Sequence, residues 1–542
     1  MKRIAIYDTT LRDGTQAEDI NLSTQDKIKI ARKLDDLGVK YIEGGWPASN
    51  PTDQAFFQEI ANYALESALI CAFGSTHHPK HKPESDPNLR ALMETGAPVA
   101  TIFGKTWDLH VKDALRVEPE RNLELIHDSV AFLKTHFKEV IFDAEHFFDG
   151  FKANPDYAIA TLAQAFQAKA NVLVLCDTNG GALPHEVRAA VRAVKKALPK
   201  AKLGIHAHND SELAVANTLA AVRCGAVHVQ GTMNGYGERC GNANLCSIIP
   251  NLELKFEDKY RCLPAHKLEL MTMVSAYISE VANARMFNRQ PFVGRSAFAH
   301  KGGIHVSAVN RNAVLYEHID PSLVGNKQRV LLSELAGRSN IVNLAKRHGF
   351  HMDKDEPVVK GLLAELKKKA ALGYDYAAAE ASVELLLLRK LARRGVRDFF
   401  TLIKSHVMDS KESPDDEPRS EATVMVEVEG VEAHTAALGH GPVNALDNAL
   451  RKALRPFYPR LDEMKLMDFK VRVLSGTQVR PGGTASTVRV LIESADKDST
   501  WVTVGVSFNI IEASWQALID SVTYKLYKDE FQKRIVSQSD VD

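Results

Sequence analysis

Arg3-Ile4-Ala5-Ile6-Tyr7, followed directly by Asp8-Thr9-Thr10-Leu11-Arg12-Asp13-Gly14, is the stretch on which the fold turns. The first five residues, with their isoleucines and tyrosine, read as a short strand. The run behind it holds hydroxyls, carboxylates and a guanidinium, with one glycine at its end. An open doubly wound sheet usually follows its first strand with a Gly-rich turn that cradles a pyrophosphate. That turn is absent here, so the strand reads as the first of a closed barrel, whose strand ends carry functional side chains.

Working outward, seven more strands are expected at Lys40–Ile42, Leu69–Ala72, Val99–Phe103, Glu139–Phe142, Asn171–Leu175, Lys202–Ile205 and Ala226–Val229. Their starts are roughly 25–40 residues apart, the length of one strand and one helix. The intervening segments carry helix signals. Ser23-Thr24-Gln25-Asp26 resembles a capping box, Ile28, Ala31, Leu34 and Leu37 share one face, and Gly38 is the stop. Leu183-Pro184 opens another helix through Val187, Val191 and Val194, ended by Pro199. The expectation is an α/β protein whose residues 1–265 form a (β/α)8 TIM barrel.

Composition narrows the function classes. At 542 residues the chain has room for three or four domains, and 45% apolar with 25% charged residues is ordinary globular usage. Lys plus Arg equals Asp plus Glu at 68 each, so no net charge draws the chain to nucleic acid or anionic lipid. No 18-residue apolar run occurs and Met1-Lys2-Arg3-Ile4 leads straight into the first strand, so neither a membrane span nor a signal peptide is expected. Six cysteines without C-x-x-C spacing fit reduced thiols in a cytoplasmic protein and offer no thiolate zinc site.

Polar residues gather where the strands end: Arg12, Asp13 and Gln16; Glu43-Gly44-Gly45-Trp46-Pro47; Asp143, Glu145 and His146; Asp177, Thr178 and Asn179; His206, His208, Asn209 and Asp210; and Gly235 to Asn242. In His206-Ala207-His208 the two imidazoles, at i and i+2 of an extended segment, point to one side. Two hydrogen-bonding or surface histidines are the plain alternative. Around a closed barrel, strands seven, eight and one are neighbours, so Asp13, His206, His208 and Asn242 can converge. That mixed N/O set suits a divalent ion with open positions, Mg2+ or Mn2+ first, then Co2+ or Zn2+. Arg12 either stabilises developing negative charge or pairs with a carboxylate such as Asp8. Thr178 either holds a substrate carboxylate or caps a helix. Glu145 is a candidate acid or base, or a merely paired carboxylate. Gln16 joins Arg12 and Thr178 as a candidate substrate-binding group.

These motifs carry a resemblance. Asp8 to Gly14 is similar to the signature of metal-dependent barrel enzymes that condense or cleave α-keto acids. Gly204-Ile205-His206-Ala207-His208-Asn209-Asp210 and Asn234-Gly235-Tyr236-Gly237-Glu238-Arg239-Cys240-Gly241-Asn242 resemble two signatures of the branch joining acetyl-CoA to α-keto acids. That branch contains the 2-isopropylmalate, homocitrate and citramalate synthases. Gly44-Gly45-Trp46-Pro47, Phe298 to His305 and Tyr316-Glu317-His318-Ile319-Asp320-Pro321 look most like its citramalate synthase members.

The resemblance implies an acyltransferase that condenses acetyl-CoA with pyruvate and water to (R)-citramalate and CoA, on an isoleucine route through 2-oxobutyrate. It implies a homodimer or larger assembly in which His305 and Tyr316 complete the partner's active site. The rivals are a 2-isopropylmalate or homocitrate synthase and, outside catalysis, an amino-acid sensor with a decayed barrel. The intact set Arg12, Asp13, His206, His208 and Asn242 speaks against decay.

Beyond the barrel, residues 266–409 read as helical subdomains, with amphipathic patterns at Lys267–Asn283, Pro357–Leu372 and Ala377–Arg394. Residues 410–420 are charged, contain proline and lack large apolar side chains, and read as a flexible linker. Residues 421–535 then show a pattern twice. Strands at Thr423–Val428, Phe469–Leu474, Thr487–Ile492 and Trp501–Phe508 accompany helices opened by Asn444-x-x-Asp447 and Asn509-x-x-Glu512. A separate α+β domain with an internal repeat is expected. The family counterpart is a regulatory, dimerising domain that binds an end-product amino acid, isoleucine first and leucine second.

Overall fold

The computed structural model describes residues 1–301, 303–309, 311–330, 338–376, 378–391, 399–411, 413–474 and 486–539. Gly302, Glu412, the two ends of the expected helix 377–394 and residues 475–485 lie outside the described residues.

All eight expected strands form, and they close into one parallel barrel. They are β1 (Ala5–Asp8), β2 (Tyr41–Gly45), β3 (Leu69–Ser75), β4 (Val99–Lys105), β5 (Glu139–Glu145), β6 (Val172–Asp177), β7 (Leu203–Ala207) and β8 (His228–Gly231). β8 pairs with β1, Ala5 opposite His228 and Asp8 opposite Gly231, which shuts the ring. Several strands run two or three residues further than apolar runs suggested, so Glu43, Asp143, Glu145, Asp177 and His206 sit on strands rather than in loops. Inside the ring, Tyr7, Tyr41, Cys71, Val99, Ile141, Val172, Val174 and Cys176 pack into a floor beneath the polar mouth.

Local chemistry accounts for the outer helices. α1 (Thr24–Leu37) starts in a complete capping box between Ser23 and Asp26 and ends at Gly38, whose φ of 88° favours glycine. Ile28, Ala31, Leu34 and Leu37 are buried against the strands. Truncating one such leucine to alanine costs about 2–5 kcal/mol in a packed core.

The barrel unit runs past the expected boundary at 265: Met1–Phe298 together with His318–Gln328 form one compact unit. The reason is packing, because Met271, Val274 and Ile278 of the helix Met271–Val281, with Phe292, Phe298 and Val324, join the barrel's own core.

The second unit comprises Ala299–Glu317 and Arg329–Asp542. It holds two three-stranded antiparallel sheets, β9 (Thr401–Ser410), β10 (Arg419–Val428) and β11 (Val431–Gly439), then β12 (Lys465–Val473), β13 (Val488–Ala495) and β14 (Thr500–Ser507). A helix follows each sheet, Pro442–Leu454 and Ile510–Ser539, so the internal repeat is present as βββα twice.

Three expectations are corrected here. The charged stretch 410–420 is a hairpin connection rather than a linker, since β9 pairs with β10 from Thr401 opposite Glu427 to Ser410 opposite Arg419. A polar, Pro-containing turn and a flexible linker share one composition, and only strand pairing separates them. The helical segment also fails to stand apart, because Val359, Leu362, Leu366, Val383 and Leu387 share a core with Val504 of β14. Finally, Asn444 does not open its helix. Pro442 does, and Asn444 Oδ1 accepts from the His440 N–H instead, whereas Asn509 Oδ1 caps Ile511 and Glu512 as expected.

Candidate active site

Asp13, His206 and His208 meet at the barrel mouth, one ligand atom of each lying within 4.8 Å of the others. β7 delivers His206 on its last turn of pleat, and His208 follows on the same side. Asn242 arrives beside them through a short antiparallel bridge to His208, fixed by Asn209 N–H to Gly241 O at 2.9 Å and Ala243 N–H to Ala207 O at 2.8 Å. The loop can make this return only with glycine at 237 and 241. Both have positive φ, and a Cβ would strike Asn242 Nδ2 at the first and Gly235 O at the second.

The four side chains are buried, between 2% and 6% exposed. Asp13 accepts from Arg12 Nη1 at 2.8 Å and from Asn242 Nδ2 at 3.1 Å, and its Oδ2 lies 3.5 Å from His206 Nε2. His208 Nδ1 and Asn242 Oδ1 are buried with no hydrogen-bond partner. An orphaned imidazole nitrogen and an orphaned amide oxygen beside a carboxylate are the donor atoms a divalent ion takes, so the residues fit a metal. The electrostatics agree. Burial alone would raise the Asp13 carboxyl, but Arg12 and the two imidazoles hold it ionised, well below the usual carboxylate range. Burial and His206 press His208 down to about 4, leaving it a neutral ligand.

Arg12 does not pair with Asp8. Asp8 instead accepts from Thr10 N and Oγ1 at 2.9 and 3.0 Å, and burial lifts its carboxyl to about 7. The Arg12 guanidinium lies between Asp13 and Glu43, with Nε 2.6 Å from Glu43 Oε1, and its flat face rests 3.7 Å from the centre of the Phe73 ring. Burial acts to lower its pKa, and the two carboxylates more than offset this. Glu43 is the residue the sequence reading left without a role. It is fully buried and takes hydrogen bonds from Tyr7 Oη, Thr9 Oγ1 and Arg12, at 2.5, 2.5 and 2.6 Å.

The other expected residues spread around the rim. Thr178 caps no helix; its hydroxyl accepts from the His146 N–H at 2.9 Å, and its carbonyl accepts from Arg239 at 2.8 Å. Arg239 also grips Asp210 with two hydrogen bonds, tying the ends of β6, β7 and β8 together. Glu145 is ion-paired with Lys105. Gln16 is exposed at the end of the one-turn helix Gly14–Gln16. His305 and Tyr316 belong to the second unit, where both are exposed and their rings lie 4.4 Å apart. Next to Arg12, Trp46, Phe73 and Phe103 form an aromatic wall with centroids 5.6–5.7 Å apart. Trp46 and Phe103 also line a cavity of about 630 Å3 together with His77, Asn88 and Lys105.

Comparison with known proteins fits this geometry. Residues 3–276 match the HMGL-like family, residues 292–373 the homocitrate synthase post-HMGL domain-like family, and residues 377–526 the LeuA allosteric (dimerisation) domain. The last match starts before β9, in keeping with the hairpin at 410–420. An (R)-citramalate synthase of Geobacter sulfurreducens is 57% identical over 98% of this chain and 99% of its own length. One from Aquifex aeolicus is 52% identical over the same shares. A 2-isopropylmalate synthase of Methanocaldococcus jannaschii is 30% identical over 97% of this chain and 96% of its own. With both compact units, the signature-bearing strand ends and the near-complete coverage in agreement, the chain belongs to the (R)-citramalate synthase family.

Proposed function

We propose that the chain joins acetyl-CoA to pyruvate and, with water, releases (R)-citramalate and CoA. The observation that carries this reading is the pair of orphaned donors, His208 Nδ1 and Asn242 Oδ1, set beside ionised Asp13 and the Arg12 guanidinium. Asp13, His206, His208 and Asn242 would hold a divalent ion, Mg2+ or Mn2+ first and Co2+ or Zn2+ as alternatives, which would supply positive charge to polarise the 2-oxo acid.

The chain's own residues do the rest. Arg12, clamped by Glu43 and stacked on Phe73, presents a fixed cation to the oxygen on which negative charge develops. Thr178 offers its hydroxyl to the substrate carboxylate, and Gln16 is assigned to the same substrate from the rim. A base, with Glu145 the candidate, removes a proton from the acetyl methyl. The resulting enolate carbon bonds to the keto carbon, whose oxygen takes up a proton. Water then cleaves the thioester, giving the second carboxylate and the CoA thiol. His305 and Tyr316 of a neighbouring subunit complete the site, which makes the working unit a homodimer or larger.

The aromatic wall of Trp46, Phe73 and Phe103 supports pyruvate, with only a methyl group beyond its keto carbon, over 2-oxoisovalerate or 2-oxoglutarate, which carry more bulk to the same place. One extra methylene changes discrimination by about 1–3 kcal/mol. CoA thiol release measured with pyruvate, 2-oxobutyrate, 2-oxoisovalerate and 2-oxoglutarate should rank pyruvate first by at least tenfold in kcat/KM. A preference for 2-oxoisovalerate would make this an isopropylmalate synthase. Subunit sharing is checked by mixing inactive Arg12→Ala with inactive His305→Ala protein. Activity should return as subunits exchange, and its absence after proven exchange counts against a shared site.

Regulation belongs to the second unit. The LeuA-type match and the βββα repeat support feedback by isoleucine first and leucine second, on a cytoplasmic isoleucine pathway through 2-oxobutyrate. An effector that prefers one conformation by about 1–3 kcal/mol shifts substrate affinity roughly 5- to 150-fold. No helix among the described residues is long and apolar enough to cross a membrane.

A further inference from the structure

Beneath the proposed ligands, a line of polar atoms crosses the barrel interior. His206 Nδ1 lies 2.8 Å from Gln230 Oε1, and Gln230 Nε2 lies 3.0 Å from Asp143 Oδ1. None of the three is solvated: His206 is 5%, Gln230 0% and Asp143 3% exposed. Register places His206 of β7 directly beside Gln230 of β8, while Asp143 reaches in from β5.

The other ring nitrogen, Nε2, faces Asp13 and is the atom within reach of the shared ion position. A nitrogen ligates only through a lone pair free of its proton, so the neutral ring must carry its hydrogen on Nδ1. A primary amide has one accepting end and one donating end. Which end meets Nδ1 therefore decides where the imidazole proton sits. Burial and the neighbouring Glu43 push the Asp143 carboxyl well above the usual carboxylate range. An unprotonated carboxyl oxygen accepts whether or not the group is ionised, and Asp143 Oδ1 takes the Gln230 Nε2–H, which leaves Oε1 for the Nδ1–H.

We infer that Gln230, oriented by Asp143, is a positioning residue that keeps the His206 proton on Nδ1 and so leaves Nε2 open to a divalent ion. This rests on the metal-centre reading and deepens it. Gln230 touches no reacting atom, and its whole effect passes through His206. A residue that merely filled space would be replaceable by any side chain of the same shape. Gln230 is not, because the polarity of the line matters and that polarity can be reversed. Putting the carboxylate at 230 and the amide at 143 keeps shape and net charge. The introduced carboxylate accepts from Nδ1–H while the introduced amide donates to it, which restores the same imidazole tautomer.

The test is calorimetric titration of Mn2+ alone into the full-length, chelator-stripped chain, with the melting temperature of each variant measured in parallel. Gln230→Leu should weaken Mn2+ binding about 10- to 100-fold, the usual cost of losing a partner behind a metal ligand. Gln230→Glu should keep Kd within about threefold of the unchanged chain, because its carboxylate accepts from Nδ1–H while a protonated Asp143 donates to it. Adding Asp143→Asn to Gln230→Glu should keep Kd in the same range, an amide then donating in place of the carboxylic acid. If Gln230→Leu does not fold, Gln230→Met, of similar length and without a strong acceptor, carries the test. Mn2+ affinity unchanged in folded Gln230→Leu or Gln230→Met overturns the inference, as does a Gln230→Glu or double variant that binds as weakly as they do. Failure of the unchanged chain to bind Mn2+, Mg2+, Co2+ or Zn2+ overturns the metal reading itself, and the inference with it.

Discussion

At the barrel mouth, His208 Nδ1 and Asn242 Oδ1 are buried without a partner, whereas Lys525, no more exposed in the second unit, is surrounded by Asp529, Asp496 and Glu463 at 2.7, 3.1 and 3.2 Å. A buried polar atom left unpaired costs about 1–3 kcal/mol, and an unpaired buried charge costs more. Around Lys525 that cost is met internally, with the lysine as a strut between the helix Ile510–Ser539 and its neighbours. At the barrel mouth it is unmet at two atoms, on side chains that stand beside the Asp13 carboxylate. Burial marks neither cluster as functional. Unsatisfied valences gathered beside a carboxylate do, since they are what an incoming ion or substrate can satisfy.

The contrast is sharpest when each cluster loses a member. His208→Ala should largely abolish CoA release while the melting temperature changes little, because what is removed serves the reaction. Arg12→Gln should lower kcat by roughly 10²–10³-fold, as for loss of a fixed donor to a developing oxyanion. Either variant retaining near-normal turnover in the presence of Mn2+ would break the functional half of the comparison.

Lys525→Met should act in the opposite sense. It removes the buried cation that Asp496 and Asp529 share, while Lys528 still pairs Asp496 and Arg460 still pairs Asp529, so it should destabilise by about 1–3 kcal/mol. Turnover per folded molecule, assayed well below the melting point, should stay close to normal. A normal melting curve would show that Lys525 is no strut.

The smallest effect is in pH. Burial raises Asp8 to about 7 and Asp177 to about 6, so their stabilising contribution is complete below the ordinary carboxylate pKa and is lost as pH rises through 6–7. Asp496 is the reverse: burial opposes ionisation, but Lys528 and Lys525 hold it low, so its contribution is present above the ordinary value and lost on acidification. Hydrogen exchange read by peptide, corrected for intrinsic rates, should show protection of residues 5–45 falling between pH 5 and 8. Protection of residues 488–530 should fall instead below pH 4. Asp8→Asn should flatten the barrel slope, and an unaltered slope would remove Asp8 as its source.

Much of the barrel was legible because its cause is local. Each strand-helix unit carries its own apolar period, and Asp13, His206, His208 and Asn242 sit in short runs at strand ends whose neighbours follow from ring closure. Glu43 and Gln230 were not legible as site residues. Each is a single polar side chain on a strand, and its meaning depends on partners such as Tyr7, Arg12, His206 and Asp143, which lie 24 to 87 residues away. The hairpin at 410–420 was misread for a related reason. Its residues announce a turn, while the fact that decides between turn and linker, β9 lying against β10, is a non-local pairing.

The central claim is that the barrel mouth is a metal-dependent centre for joining acetyl-CoA to pyruvate. Its most direct test is CoA thiol release from acetyl-CoA and pyruvate by the chelator-treated chain, with the product identified by chiral chromatography. The account expects negligible release until Mn2+ or Mg2+ is restored, and then (R)-citramalate in equal amount to CoA. Undiminished release from metal-free protein, or CoA released without citramalate, would contradict it.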